Sequence, residues 1–228
     1  MERARAIAGL MADACQDLRH AWAPGSRLRT RVGRGRATWH RYDPRGDDHC
    51  ITIGSLMVAD KAEPALCGGW LSAREIRGRG YFGGEVSELN LLAHGCCHEF
   101  AHLLQTRSGG RRYGQVHNAV FYQWLDRLHQ SGSAASLRSD LAEAAAEQRL
   151  PLATAPVTPE ADAGALTRFA PGDRVRFGQG LEGRIRRVNR RTCTVDGTGP
   201  CRGRRYRVPP QMMTPIRETE PYEPDPQH

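Results

Sequence analysis

Leu89-Asn90-Leu91-Leu92-Ala93-His94-Gly95-Cys96-Cys97-His98-Glu99-Phe100-Ala101-His102-Leu103-Leu104 is the stretch on which the fold turns. Leu89, Leu92, Phe100, Leu103 and Leu104 supply apolar surface, Ser87 and Glu88 suit a first turn, and Ser108-Gly109-Gly110 stops the run. A helix is therefore predicted over Val86–Arg107, with Gly95 costing it about 1 kcal/mol relative to alanine. Helical residues four apart share a face, so His98 and His102 can aim one nitrogen each at a single ion. Zinc takes nitrogen ligands in tetrahedral array, and a catalytic site keeps one position for water. Glu99, one residue on, reaches that water rather than the ion and can take its proton. The His-Glu-x-x-His arrangement thus predicts one Zn2+, with Glu99 catalytic.

A third ligand is required. One class of zinc peptidase places a glycine and then a histidine just after the motif; those positions here hold Gln105 and Ser108, which excludes it. His117 is the leading choice. It lies beyond the Ser108–Gly110 break, on the first turn of a helix predicted from about Gln115 to Gln130, which can fold back across the first. His94, one turn before His98, and Glu143 or Glu147 from a later helix are the alternatives. Cys96 and Cys97 point to other faces and read as core thiols.

Upstream, Ile7, Leu10, Met11, Ala14, Leu18 and Trp22 mark one face of a helix over 2–22, closed by Pro24-Gly25. Three short runs, Leu28–Val32, Ala37–Tyr42 and Cys50–Ile53, are separated by turn residues and predict a three-strand antiparallel meander. Lys61–Gly84 is glycine-rich, with a short helix at Ser72–Arg77. Downstream, Ser133–Arg149 is alanine-rich and helical, and residues 151–165 form a proline-containing linker. From 166 to 217, valines and aromatics alternate with arginine in four or five short runs between glycines, the pattern of a small all-β barrel. The proline-rich, acidic 218–228 reads as a disordered tail. The fold class expected is α+β, with a domain over 1–131, an additional helix over 132–150, and the small barrel.

The chain has 228 residues, 39% of them hydrophobic, enough for one medium domain and one small one. A mean hydropathy of −0.59 and the lack of a long apolar run argue against a membrane span. Arg3, Arg5, Asp13, Asp17 and Arg19 interrupt the N-terminus, so no signal peptide is read there, and a cytoplasmic protein is expected. The seven cysteines form no Cys-x-x-Cys pair and read as free thiols. The net charge of +8 is segregated: residues 166–217 carry +10, from 13 arginines against Asp173, Glu182 and Asp196. Such a block points to a polyanionic partner.

The motif, together with His117-Asn118-Ala119-Val120-Phe121-Tyr122-Gln123-Trp124, resembles the SprT-like metallopeptidases, the group that includes Spartan, over roughly residues 1–131. The resemblance implies a zincin-like fold, zinc on His98, His102 and His117, and Glu99 as the catalytic residue. Asn118 stands where that family often has glycine, and Gly95-Cys96-Cys97 is atypical. The four-cysteine ribbon that ends many bacterial relatives is absent. In its place Pro171–Phe177 and Val188–Thr192 look like a KOW or SH3-like barrel. Some relatives degrade proteins crosslinked to DNA, which implies a protein substrate held near nucleic acid. Arg184, Arg186, Arg187, Arg190, Arg191, Arg204 and Arg205 are the expected phosphate contacts.

The expectation is a zinc endopeptidase, with Tyr113, Tyr122 or an arginine helping the oxyanion. A nucleic-acid-binding or ribosome-associated protein with a purely structural zinc is the alternative, and a metal hydrolase acting on a non-protein amide or ester is a third reading.

Overall fold

The computed structural model describes residues 1–157, 168–177, 180–189 and 192–216. Two compact units divide at Thr158/Pro159; the first mixes helices with a small sheet and the described part of the second holds strands and short 3-10 turns, so the chain is α+β. No described helix is long and apolar enough to cross a membrane.

The first unit is built around the motif helix. Helix α1 (Glu2–Trp22) leads into β1 (Arg27–Gly33), β2 (Trp39–Asp43) and β3 (Asp48–Gly54), then α2 (Ser55–Lys61), α3 (Pro64–Cys67), α4 (Leu71–Arg79), α5 (Glu88–Arg107), α6 (Ala119–Gln130) and α7 (Ser133–Glu147). Ser87 starts α5 by accepting the Asn90 amide at 3.1 Å, satisfying one of the donors a helix start leaves free. Nearly every α5 side chain from Glu88 to Gln105 is buried, as befits a helix packed on all sides. Its apolar residues join Ile7, Met11, Ile51, Ile53, Phe121 and Leu125 in one core.

The sheet is not the antiparallel meander read from the sequence. Its strand order is β1-β3-β2, with β1 parallel to β3 and β2 antiparallel to it. The Asp43–Asp48 turn closes a β2–β3 hairpin as expected. The reason β1 pairs elsewhere lies in β3, whose Ile51–Gly54 end is buried throughout and so takes the centre. The β1–β2 connection must then cross the end of β3. It does so over Gly54, where the carbonyl oxygens of Gly35 and Ala37 fill the space a Cβ would need. The Gly54 amide donates to Thr38 Oγ1 at 3.0 Å and the Leu56 amide to Gly35 O at 3.2 Å. This crossing leaves β2 as one of the sheet's two edge strands, with no second strand partner among the described residues.

The glycine-rich 61–84 region is mostly helical: α3, α4 and a 3-10 turn at Tyr81–Gly84. Helix α7 buries Leu137, Leu141 and Ala145 and belongs to the first unit's core. Where the sequence reading starts a linker, residues 151–157 are tied to the start of α5. Leu89 donates to Ala153 O at 3.1 Å, Val157 to Val86 O at 2.6 Å, and Ala153 to Glu88 Oε2 at 2.9 Å. The remainder of that linker, 158–165, and the 218–228 tail lie outside the described residues.

The second unit holds β4 (Arg174–Phe177), β5 (Leu181–Val188), β6 (Cys193–Gly197), β7 (Arg205–Val208) and β8 (Met213–Pro215). They form one antiparallel sheet in the order β7-β6-β5-β4-β8. Period-two alternation sends Val175, Phe177, Ile185, Cys193, Val195 and Val208 into a core and the arginines outward.

Candidate metal centre

Three imidazoles converge. His98 Nε2 lies 3.1 Å from His117 Nε2, and His102 Nε2 lies 3.2 Å from the same atom. His98 and His102 come from adjacent turns of α5. His117 is not on the first turn of the next helix, as the spacing suggested. It precedes Asn118, which caps α6 by accepting the Phe121 amide at 3.2 Å. That cap starts α6 only after residue 117, so His117 stands outside the helix, with its ring against α5.

Hydrogen bonds at the far ring nitrogens fix the tautomers. Gln105, fully buried, donates its amide to Val116 O and Asn118 Oδ1, each at 2.9 Å. Its Oε1 must therefore face His102 Nδ1, 3.3 Å away, and that nitrogen is the protonated one. Asn118 Nδ2 in turn donates to Gly110 O at 2.9 Å, which orients its oxygen. On His98, Nδ1 donates to Glu75 Oε2 at 2.9 Å. Both α5 imidazoles thus present a bare Nε2 lone pair to His117. A cation among the three nitrogens would satisfy these lone pairs together, and carboxylate or amide partners behind the rings are the usual support for a metal ligand. The spacing and the all-nitrogen donor set fit a tetrahedral ion with one position open. Burial lowers the pKa of His102 to about 3, with the neighbouring His98 adding to it, and burial likewise lowers that of His117. Both rings are neutral and able to ligate at neutral pH.

The alternatives fall away on geometry. His94 turns from the cluster and donates Nε2–H to Glu75 Oε2 at 2.9 Å. Its Nδ1 accepts from His129 Nε2 at 3.2 Å, under a stacked Tyr81 ring. Among the described residues, the groups able to hold a metal are His98-His102-His117 and Glu75-His94-His98; neither includes Glu143 or Glu147. Cys96 and Cys97 are fully buried, and all seven cysteines are free.

Sequence reasoning missed Glu75. It sits on α4, accepts from His94 and His98 through Oε2, and takes the Tyr122 hydroxyl on Oε1 at 3.3 Å. Burial pushes its pKa up, but the hydrogen bonds from His94 and His98 outweigh this and hold the carboxyl well below the usual range. No local pattern announces it, because its partners lie 19 and 23 residues away.

Glu99 is buried and is not one of the clustered ligands. It lines a cleft of about 360 Å³ with His98, His102, His117, Arg36, Lys61 and Arg111. Burial raises its pKa, against which His98, Lys61 and the His40 backbone amide favour the ionised form. Of the oxyanion alternatives, Tyr113 is fully exposed and Tyr122 is engaged with Glu75. Arg111 lines the cleft and donates to His40 Nδ1 at 2.8 Å.

Among the predicted phosphate contacts, Arg184, Arg186, Arg187, Arg204 and Arg205 are exposed; Arg190 and Arg191 lie outside the described residues. Arg174, Arg184, Asp196 and Arg205 stand opposite one another across β4 to β7. Arg174, Arg176 and Arg207, not singled out beforehand, share this outward face. Asp196 pairs with Arg205 at 2.8 Å and Arg186 at 3.8 Å, and Glu182 with Arg176 at 2.8 Å, so arginine remains in excess.

The metal-free chain is expected to be acid-labile. Burial lowers the pKa of His40 to about 2 and those of His102 and His129 to about 3, whereas unfolded imidazoles titrate near 6.5. Below about pH 6.5 the unfolded chain takes up protons that the fold refuses, so stability falls as pH drops; above it these groups contribute no slope. Thermal unfolding of chelator-treated protein from pH 8 to 4 checks this, and a flat profile would contradict it.

No protein-family model, curated protein or solved structure matches this chain.

Proposed function

We propose that the chain is a zinc-dependent endopeptidase of the SprT-like type, with a zincin-like first unit and a KOW or SH3-like second unit. It acts on proteins at or crosslinked to nucleic acid. The observation that carries this reading is the convergence of three Nε2 atoms beside the buried Glu99 carboxylate in an open cleft. His98, His102 and His117 hold the zinc, with Glu75 and Gln105 orienting the first two. When bound there, zinc supplies Lewis-acid polarisation of a scissile carbonyl and eases the ionisation of water. Glu99 accepts the proton of the attacking water and returns it to the leaving amine. Arg111, on the cleft wall, faces the negative charge that develops on the carbonyl oxygen. Thr38, Trp39 and His40 of β2 and the connection before it border the cleft. As an edge strand, β2 offers backbone groups to an extended peptide.

The arginine face of the second unit supports a nucleic-acid partner through backbone phosphates, without base reading. The test is zinc content measured beside casein cleavage, with and without single-stranded DNA. One zinc per chain and cleavage that rises with DNA are expected. One zinc with no cleavage under either condition would leave the metal a structural role.

A further inference from the structure

Thirty-two arginines and one lysine make up the chain's basic residues, and that lysine is buried in the wall of the cleft. Lys61 is 4% exposed. Its ammonium has three protons to place, and among the described residues its one hydrogen bond is to Leu91 O at 3.0 Å. The Trp70 ring lies 5.6 Å from it. Gly95 makes room: a Cβ there would sit 3.4 Å from Nζ. Gly95 is one helical turn before Glu99 on the same face of α5, and Lys61 and Glu99 line the same cleft.

A second, independent feature meets it. Leu71 and Ser72, at the start of α4, line the same cleft. No side chain caps this helix, so its first amides have no acceptor within it. Ser72 is 8% exposed, and among the described residues its hydroxyl oxygen has no partner. A helix start, an unpartnered hydroxyl and an under-used ammonium are all donors. Together they are the chemistry of an oxyanion site.

Resting on the peptidase reading, we propose that Lys61, Ser72 and the α4 N-terminus form a carboxylate subsite, which takes an acidic group of the substrate peptide within a residue or two of the scissile bond. Burial lowers the Lys61 pKa to about 8, which still leaves it largely protonated at pH 7. Two sources share this ligand chemistry: an internal Glu or Asp side chain, and a chain's own C-terminal carboxylate.

The test uses the zinc-loaded full chain and fluorogenic peptides with a single cleavable bond. One amidated pair differs only by Glu or Gln beside that bond, and a second pair differs only by a free or amidated C-terminus close to it. A preference of about ten- to hundred-fold in kcat/KM for the carboxylate member is expected in at least one pair, the range of a hydrogen bond to a charged group. Which pair shows it identifies the source. In Lys61→Met the ratio is expected to collapse toward one. Equal rates within both pairs, or a preference that survives Lys61→Met, overturns the subsite. The wild-type ratios decide the matter even if that variant does not fold. If no peptide is cleaved, the peptidase reading fails separately. Calorimetric binding of the Glu and Gln peptides to full-length Glu99→Gln then judges the subsite: tighter binding of the Glu peptide supports it, and equal binding overturns it.

Discussion

Replacing Glu99 with glutamine is expected to lower the rate of peptide hydrolysis by about 10²- to 10⁴-fold, the usual worth of a general base, while zinc content stays at the wild-type value. The two readouts separate because of where the residue sits. The group that could hold a metal does not include it: His98, His102 and His117 bring their nitrogens together, and Glu99 is not among them. Glutamine keeps the shape and removes the ability to take a proton. It also removes a buried negative charge whose ionised form burial opposes, so the fold is expected to survive. Metal analysis, thermal unfolding and a casein assay on the same preparation check all three statements. Full activity in the variant would take Glu99 out of the reaction.

The parts of this site written locally were legible. A four-residue spacing on a helix fixes the relation of His98 to His102 before any tertiary contact exists, and Ser87 and Gly109 bracket that helix in the sequence. The meeting of His117 with the motif histidines was legible but its place in the chain was not, because the Asn118 cap that keeps it out of α6 competes with a continuous helical pattern. The sheet failed for a different reason. Turn residues reveal a hairpin, but the pairing of β1 depends on which strand the core selects for the centre, and that is decided by burial of Ile51 and Ile53 rather than by any turn. Glu75, Gln105 and Lys61 were invisible for the same reason. Each matters through a partner distant in the chain, and a lone Glu, Gln or Lys on a helix carries no signal of that partner.

Glu75 is where the next largest effect is expected. In Glu75→Gln the metal affinity should fall by about 10- to 100-fold, the usual cost of losing the group behind a ligating histidine. Glu75 Oε2 accepts two N–H donors at once, His94 Nε2 and His98 Nδ1, each at 2.9 Å, while Tyr122 donates to Oε1. A carboxylate has acceptor capacity for all three; an amide has one oxygen and two protons of its own. With its NH2 toward the rings, both histidine donors meet donors; with its oxygen there, the rings keep only a neutral acceptor while the NH2 turns to the Tyr122 oxygen, which can accept. If His98 is the one abandoned, its proton can move to Nε2, and the lone pair that faced His117 is lost. If His94 is abandoned, the buried His129–His94 chain loses its terminus, and the cost appears as stability rather than affinity, about 1–3 kcal/mol for an unsatisfied buried donor. Competition with a chromophoric zinc chelator reads the first outcome and denaturant unfolding of the metal-free chain reads the second. A variant indistinguishable from wild type in both would show that Glu75 neither orients His98 nor anchors the histidine chain behind it.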